Sequence, residues 1–147
     1  METIIQVRGL TKAYGQFPAV DHVKAGTVFG LLGANGAGKS TTIECILGTK
    51  KADSGEISIL SLDPQKDRRR LFQRVGVQFQ ECDYQPEIKV SELCEETACL
   101  YRTPADWKKL CTQFGLVNKT NSAVKSLSGG ERQRLFIVLA LIPNPQV

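Results

Sequence analysis

Eight consecutive residues, Gly33-Ala34-Asn35-Gly36-Ala37-Gly38-Lys39-Ser40, have the makings of a cradle for phosphate. They fit the spacing G-x-x-x-x-G-K-[ST] without a mismatch. Glycines at 33, 36 and 38 let the backbone curl until successive N–H groups converge on one concavity. A helix beginning there adds unpaired N–H groups and about half a positive charge. Lys39 supplies a point charge for outer phosphates, and the Ser40 hydroxyl is a hard oxygen suited to Mg²⁺. The competing reading is a glycine-rich turn with no ligand. Three glycines followed by Lys-Ser, between an apolar run and a helix, weigh against it. The chemistry expected is binding of a nucleoside triphosphate, which does not separate a kinase, a GTPase and a transport ATPase.

A second cluster lies near the other end of the chain: Leu127-Ser128-Gly129-Gly130-Glu131, followed by Arg132-Gln133-Arg134. Two glycines and a serine at a helix N-terminus form another anion site from main-chain N–H groups. A well-capped surface helix is the plainer alternative, and the Ser128/Glu131 pair would serve that alone.

The elements that must position these clusters follow from periodicity and punctuation. Residues 27–32 are apolar, carry Val28 and Phe29, and lie between Gly26 and Gly33, a pattern that predicts a buried strand. A helix is expected over 38–47, with Gly48 as its left-handed stop. A short strand is expected at 3–7 with a loop through 9–15, another strand at 56–60, a turn at Asp63-Pro64, a basic helix to about Gln73 and a strand at 75–79. Residues 90–101 and 104–114 read as helices, the second with Thr103 as cap and Pro104 in its first turn. The last helix, 128–142, places Leu135, Leu139 and Ile142 on one face and is stopped by Pro143-Asn144-Pro145. Strand, loop and helix in repeated order predict an α/β sandwich with some parallel strands, and 82–125 reads as a helical insertion.

Bulk properties narrow the class. The 147 residues predict one domain, and a net charge of +4 suits an anionic ligand while being too small to argue for nucleic acid. The basic run Lys66 and Arg68–Arg70 reads as a solvated helix face. Five cysteines, at 45, 82, 94, 99 and 111, form no Cys-x-x-Cys pair, and His22 is the sole histidine. Small buried or half-buried thiols are expected, with no metal site. No stretch reaches the ~18 apolar residues of a spanning helix, and the first ten residues show no secretory signal. A cytoplasmic chain docked on a membrane partner is the expectation.

The stretch Leu127–Glu131, coming after the phosphate loop with a helical stretch between, closely resembles the signature motif of ABC-type ATPases. The resemblance runs from about Leu10 to Val147. It implies a P-loop NTPase sandwich with an α-helical subdomain, here with an incomplete sheet: a partial nucleotide-binding domain over 1–147, with 1–81 and 126–147 in the α/β core and 82–125 helical. It implies that Gly33, Ala34, Asn35, Gly36, Ala37, Gly38, Lys39, Ser40 and Thr41 hold ATP and Mg²⁺. Leu127, Ser128, Gly129, Gly130 and Glu131 would then meet the ATP of a partner, in a homo- or heterodimer of such domains. Gln80, at the exit of the expected strand 75–79, matches the family's Q-loop glutamine, which reaches Mg²⁺ or the attacking water; Gln78 and Gln85 lie close by. Tyr14 matches the aromatic that stacks on adenine, with an unliganded turn tyrosine as the other reading. The stretch 28–36 looks most like the exporter branch that works with separate permease subunits.

Two departures from the family are visible. The resemblance leads one to expect a Walker B aspartate, a catalytic glutamate and a switch histidine after a motif like Pro143-Asn144-Pro145, and the sequence ends at Val147 without them; His22 lies upstream and cannot substitute. The segment 20–26 is also short where a strand would lie, which puts the Tyr14 contact in doubt. Both gaps predict a sheet with open edges. The leading reading is the ATP-binding subunit of an ABC membrane transporter with incomplete hydrolytic machinery. A non-catalytic nucleotide-binding fragment and a soluble ABC ATPase acting on nucleic acid or ribosomes are the alternatives.

Overall fold

The computed structural model describes residues 3–12, 15–16, 22–34, 36–78, 84–85 and 87–147. Chain contacts divide it into two compact units, Met1–Leu71 and Phe72–Val147.

In the first unit the strand β1 (Thr3–Lys12) is the centre of a four-stranded sheet. It pairs with β2 (Gly15–Gln16), β3 (His22–Lys24) and β4 (Ser54–Ile59), antiparallel in every case. The parallel strands expected from the sequence are therefore absent among the described ladders. The expected loss of a strand in 20–26 is also corrected, because β3 occupies that place with three residues. So is the loop expected from residue 9: the ladder continues to Lys12 by means of a bulge.

That bulge has a packing reason. Val7 and Leu10 are both buried, yet three residues apart on a regular strand they would face opposite ways. Between the pairs Arg8↔Glu56 and Thr11↔Ser54, β1 advances one residue more than β4. The extra residue returns Leu10 to the core face. Gly55 opposite it has φ 104°, and a Cβ there would stand 2.7 Å from the Leu10 Cα and 2.8 Å from the Arg8 carbonyl oxygen. Helix α1 (Lys39–Ile46) contributes Cys45 to this core beside Val7 and Leu10, with Leu31, Ile46 and Ile57 packed around them. Strand β4 ends at Ile59, since Leu60 and Ser61 adopt left-handed φ values of 51° and 61° and bring Leu62 back against Ile59. The short helix α2 (Arg68–Leu71) buries Leu71 and leaves its three arginines exposed.

The apolar run 27–32 is not a strand. A strand exists only through a ladder neighbour, and no described residue supplies one. Leu31 packs on the core, while Val28 and Leu32 are 102% and 93% exposed. The strand expected at 75–79 is likewise missing over its described residues, where two backbone hydrogen bonds, Gly76 to Val147 and Gln146 to Arg74, tie the segment to the last residues.

The second unit is helical: α3 (Val90–Cys99), α4 (Trp107–Gln113), two 3₁₀ turns (Val117–Lys119 and Val124–Ser126) and α5 (Gly129–Leu141). Its core joins Val90, Leu93 and Cys94 to Cys111, Leu116 and the α5 residues Leu135, Val138 and Leu139. Contacts thus group 126–147 with the helical stretch. Helix α4 is capped by Asp106, which accepts from the Lys108 and Lys109 N–H groups, and not by Thr103. Asp106 takes that role because its carboxylate reaches two open N–H groups at once. Of the cysteines, 45, 94 and 111 are buried and 99 is exposed. Burial raises the Cys45 thiol pKa, and a hydrogen bond with Cys111 raises that of Cys94.

Gly55→Ala is expected to destabilise the protein by roughly 2 kcal/mol or more, from the left-handed backbone and the clash with β1. Urea denaturation checks this, and an unchanged midpoint would contradict the role given to the bulge.

Candidate functional site

The phosphate loop is built as its residue types require. Gly38, the N-cap of α1, has φ 85° and provides no side-chain cap. A left-handed residue here is what turns the loop into the helix axis. The first helical bond runs from the Thr42 N–H to the Gly38 carbonyl at 2.8 Å. Buried Thr42 also donates its hydroxyl to the same oxygen at 2.9 Å, fixing the cap from below. The N–H groups of Lys39, Ser40 and Thr41 meet no acceptor among the described residues. Three donors at the positive end of a helix face outward together.

Lys39 folds back over this loop. Its ammonium donates to the Gly33 and Ala34 carbonyls, each at 2.7 Å. The loop is closed further by a bond from the Ala37 N–H to the Ala34 carbonyl at 3.1 Å. These bonds hold Gly33, Ala34 and Ala37 against Lys39 at the start of α1, next to Ser40 and Thr41. The Ser40 hydroxyl is exposed and has no hydrogen bond among the described residues. This donor set fits a triphosphate, and the hydroxyl oxygen fits a hard cation such as Mg²⁺.

The second cluster has the same logic with a different cap. Ser128 caps α5, its hydroxyl accepting from the Glu131 N–H at 3.3 Å, while Glu131 accepts from the Ser128 N–H at 2.8 Å. Lys119 pairs with the other Glu131 oxygen at 3.3 Å. The hydrogen bonds with Ser128, then Lys119, hold the Glu131 carboxyl down at about 2. Leu127 is buried and anchors the loop, whereas Ser128, Gly129 and Gly130 are exposed. The Gly129 and Gly130 N–H groups have no acceptor among the described residues, and a Cβ at Gly129 would meet nothing within 4 Å.

Tyr14, Asn35 and Gln80 lie outside the described residues, as does Cys82. Gln78 and Gln85 are described and exposed. Among the described residues no group of three or more His, Cys, Asp or Glu side chains could hold a metal, and no helix is long and apolar enough to cross a membrane.

The family model for ABC transporters matches residues 21–147, a span containing both clusters. The chain belongs to the ABC transporter family. As an ABC family member it is 33% identical over 155 residues to the probable multidrug ABC transporter ATP-binding protein YbhF of Escherichia coli (strain K12), covering 99% of the chain and 27% of that protein. It is 38% identical over 153 residues to the Nod factor export ATP-binding protein I of Rhizobium meliloti (strain 1021), covering 97% of the chain and 45% of the relative. The chain thus spans between a quarter and a half of these curated relatives. Its fold is that of cbiO1 from Clostridium perfringens, part of the ABC transporter complex cbiONQ, with a TM-score of 0.80 and 24% identity over 99% of the chain and 63% of that structure.

Sequence reading of this ABC chain missed Lys119. Nothing in the spacing of a lysine twelve residues before a glutamate marks a pair; the 3₁₀ turn and α5 bring them together.

A carboxyl depressed in the folded state stabilises above its ordinary value near 4.5 and loses that contribution as pH falls toward about 2. The melting-temperature advantage of wild type over Glu131→Gln is therefore expected at pH 6 and should shrink steadily between about pH 4.5 and pH 2. A constant difference across that range would contradict the ionised cap.

Proposed function

We propose that this chain is the ATP-binding part of an export-type ABC transporter, whose paired nucleotide-binding domains share each ATP between the phosphate loop of one and the signature loop of the other. The observation that carries the reading is the first turn of α1, where the N–H groups of Lys39, Ser40 and Thr41 meet no acceptor among the described residues and the Lys39 ammonium bonds the Gly33 and Ala34 carbonyls. The export assignment rests on the multidrug and Nod factor relatives and on the stretch 28–36.

In this reading the N–H groups of Lys39, Ser40 and Thr41 orient the phosphates, and Lys39 exchanges the Gly33 and Ala34 carbonyls for phosphate oxygens. Ser40 is the hydroxyl ligand for Mg²⁺, and Gln80 takes the role of the Q-loop glutamine that reaches Mg²⁺ or the attacking water. When bound, Mg²⁺ neutralises charge on the outer phosphates. Tyr14 stacks on the adenine. Ser128, Gly129 and Gly130 present hydroxyl and N–H donors to the γ-phosphate held by a second domain, which excludes water from that face. Closure of the pair then drives a membrane permease, placing the chain at the cytoplasmic face of the membrane.

Lys39→Ala is expected to weaken ATP binding by at least about tenfold, the loss of one charge-assisted contact. Ser128→Arg should leave that affinity within twofold while abolishing ATP-dependent self-association. Isothermal titration and sedimentation velocity test the pair of claims. Unchanged affinity in Lys39→Ala would defeat the first, and undiminished association in Ser128→Arg the second.

A further inference from the structure

We propose that Lys119 is a positioning residue for the signature loop, acting through Glu131 and never touching nucleotide itself. The inference deepens the reading of Ser128, Gly129 and Gly130 as a γ-phosphate site, and rests on it for its functional consequence.

The physical problem is local. Glu131 completes the cap that holds Ser128, but it places a full negative charge directly after Gly130, in a loop meant to receive an anion. The exposed Gly129 and Gly130 N–H groups and the Ser128 hydroxyl sit at the positive end of α5. An unneutralised carboxylate beside them would oppose phosphate by simple Coulomb repulsion.

The geometry resolves the conflict by dividing the two carboxylate oxygens. Oε2 accepts from the Ser128 N–H at 2.8 Å, and Oε1 lies 3.3 Å from the Lys119 ammonium. Lys119 therefore offsets the charge from the side away from Ser128, and it also fixes the rotation of the carboxylate that sets the cap. The Glu131 side chain is only 19% exposed, so the pair is partly withdrawn from water. Lys119 itself is held in the Val117–Lys119 turn, its N–H donating to the Leu116 carbonyl at 2.9 Å, and Leu116 is fully buried in the helical core. The cation thus hangs from a rigid anchor, which is what positioning requires.

The decisive experiment is a double-mutant cycle on the full chain with two readouts: amide hydrogen exchange at Ser128, and self-association driven by Mg-ATP. Lys119→Met should speed Ser128 exchange at least threefold and weaken association at least fivefold, with ATP affinity at the phosphate loop unchanged. Lys119→Arg should restore both. In a Glu131→Gln background, Lys119→Met should have no further effect, because no charge remains to be offset. Ser128 exchange unaltered in Lys119→Met, failure of Lys119→Arg to rescue, or an equal effect in the Glu131→Gln background would each overturn the proposal. If wild type itself does not associate on adding Mg-ATP, the paired-domain reading fails, and the exchange cycle still decides whether Lys119 positions Ser128.

Discussion

The first N–H groups of an α-helix have no partner within the helix, and the two candidate sites of this chain are two ways of handling that constraint. At α1 the cap is a glycine with no side chain to offer, and the N–H groups of Lys39, Ser40 and Thr41 meet no acceptor among the described residues. At α5 the cap is a serine locked in a reciprocal pair with Glu131, which consumes two N–H groups and leaves those of Gly129 and Gly130 without an acceptor among the described residues. One helix start is left wide for a polyphosphate, and the other is narrowed to a loop tip. The same backbone chemistry is capped by glycine in one place and by a serine–glutamate pair in the other.

The rest of each unit serves to hold those helix starts. In the first, Cys45 and Ile46 of α1 rest on Val7, Leu10 and Ile57, and the β1 bulge permits Val7 and Leu10 to face the helix together. Gly55 makes that bulge possible. In the second, Leu135, Val138 and Leu139 fix α5 against α3 and α4, and buried Leu127 fixes the residue before the loop. Neither site is a property of its motif alone, because a glycine-rich loop without a packed helix behind it has no fixed direction for its donors.

Much of this was legible in the sequence because it is local. The phosphate loop, the Ser128–Glu131 cap, the stop at Gly48 and the buried face of α5 all depend on residues within one or two turns of each other, where type and spacing carry the information. The failures are non-local. Residues 27–32 are apolar enough for a buried strand, but strand formation depends on neighbours that apolarity cannot specify. The continuation of β1 past Gly9 depends on Gly55, more than forty residues away. Lys119 was invisible because only the tertiary fold sets it beside Glu131. Asp106 caps α4 in place of Thr103 because the helix begins only at Trp107, a start set by how the chain enters α4.

The N–H groups at the two helix starts must meet the same ligand if paired copies share one nucleotide. Backbone amide chemical shifts during an ATP titration, recorded at two protein concentrations, test this directly. The amides of Lys39, Ser40 and Thr41 should shift at both concentrations, and those of Gly129 and Gly130 only at the higher one, where two copies meet. Gly129 and Gly130 amides that stay fixed at every concentration, or that shift while residues 39–41 do not, would contradict it.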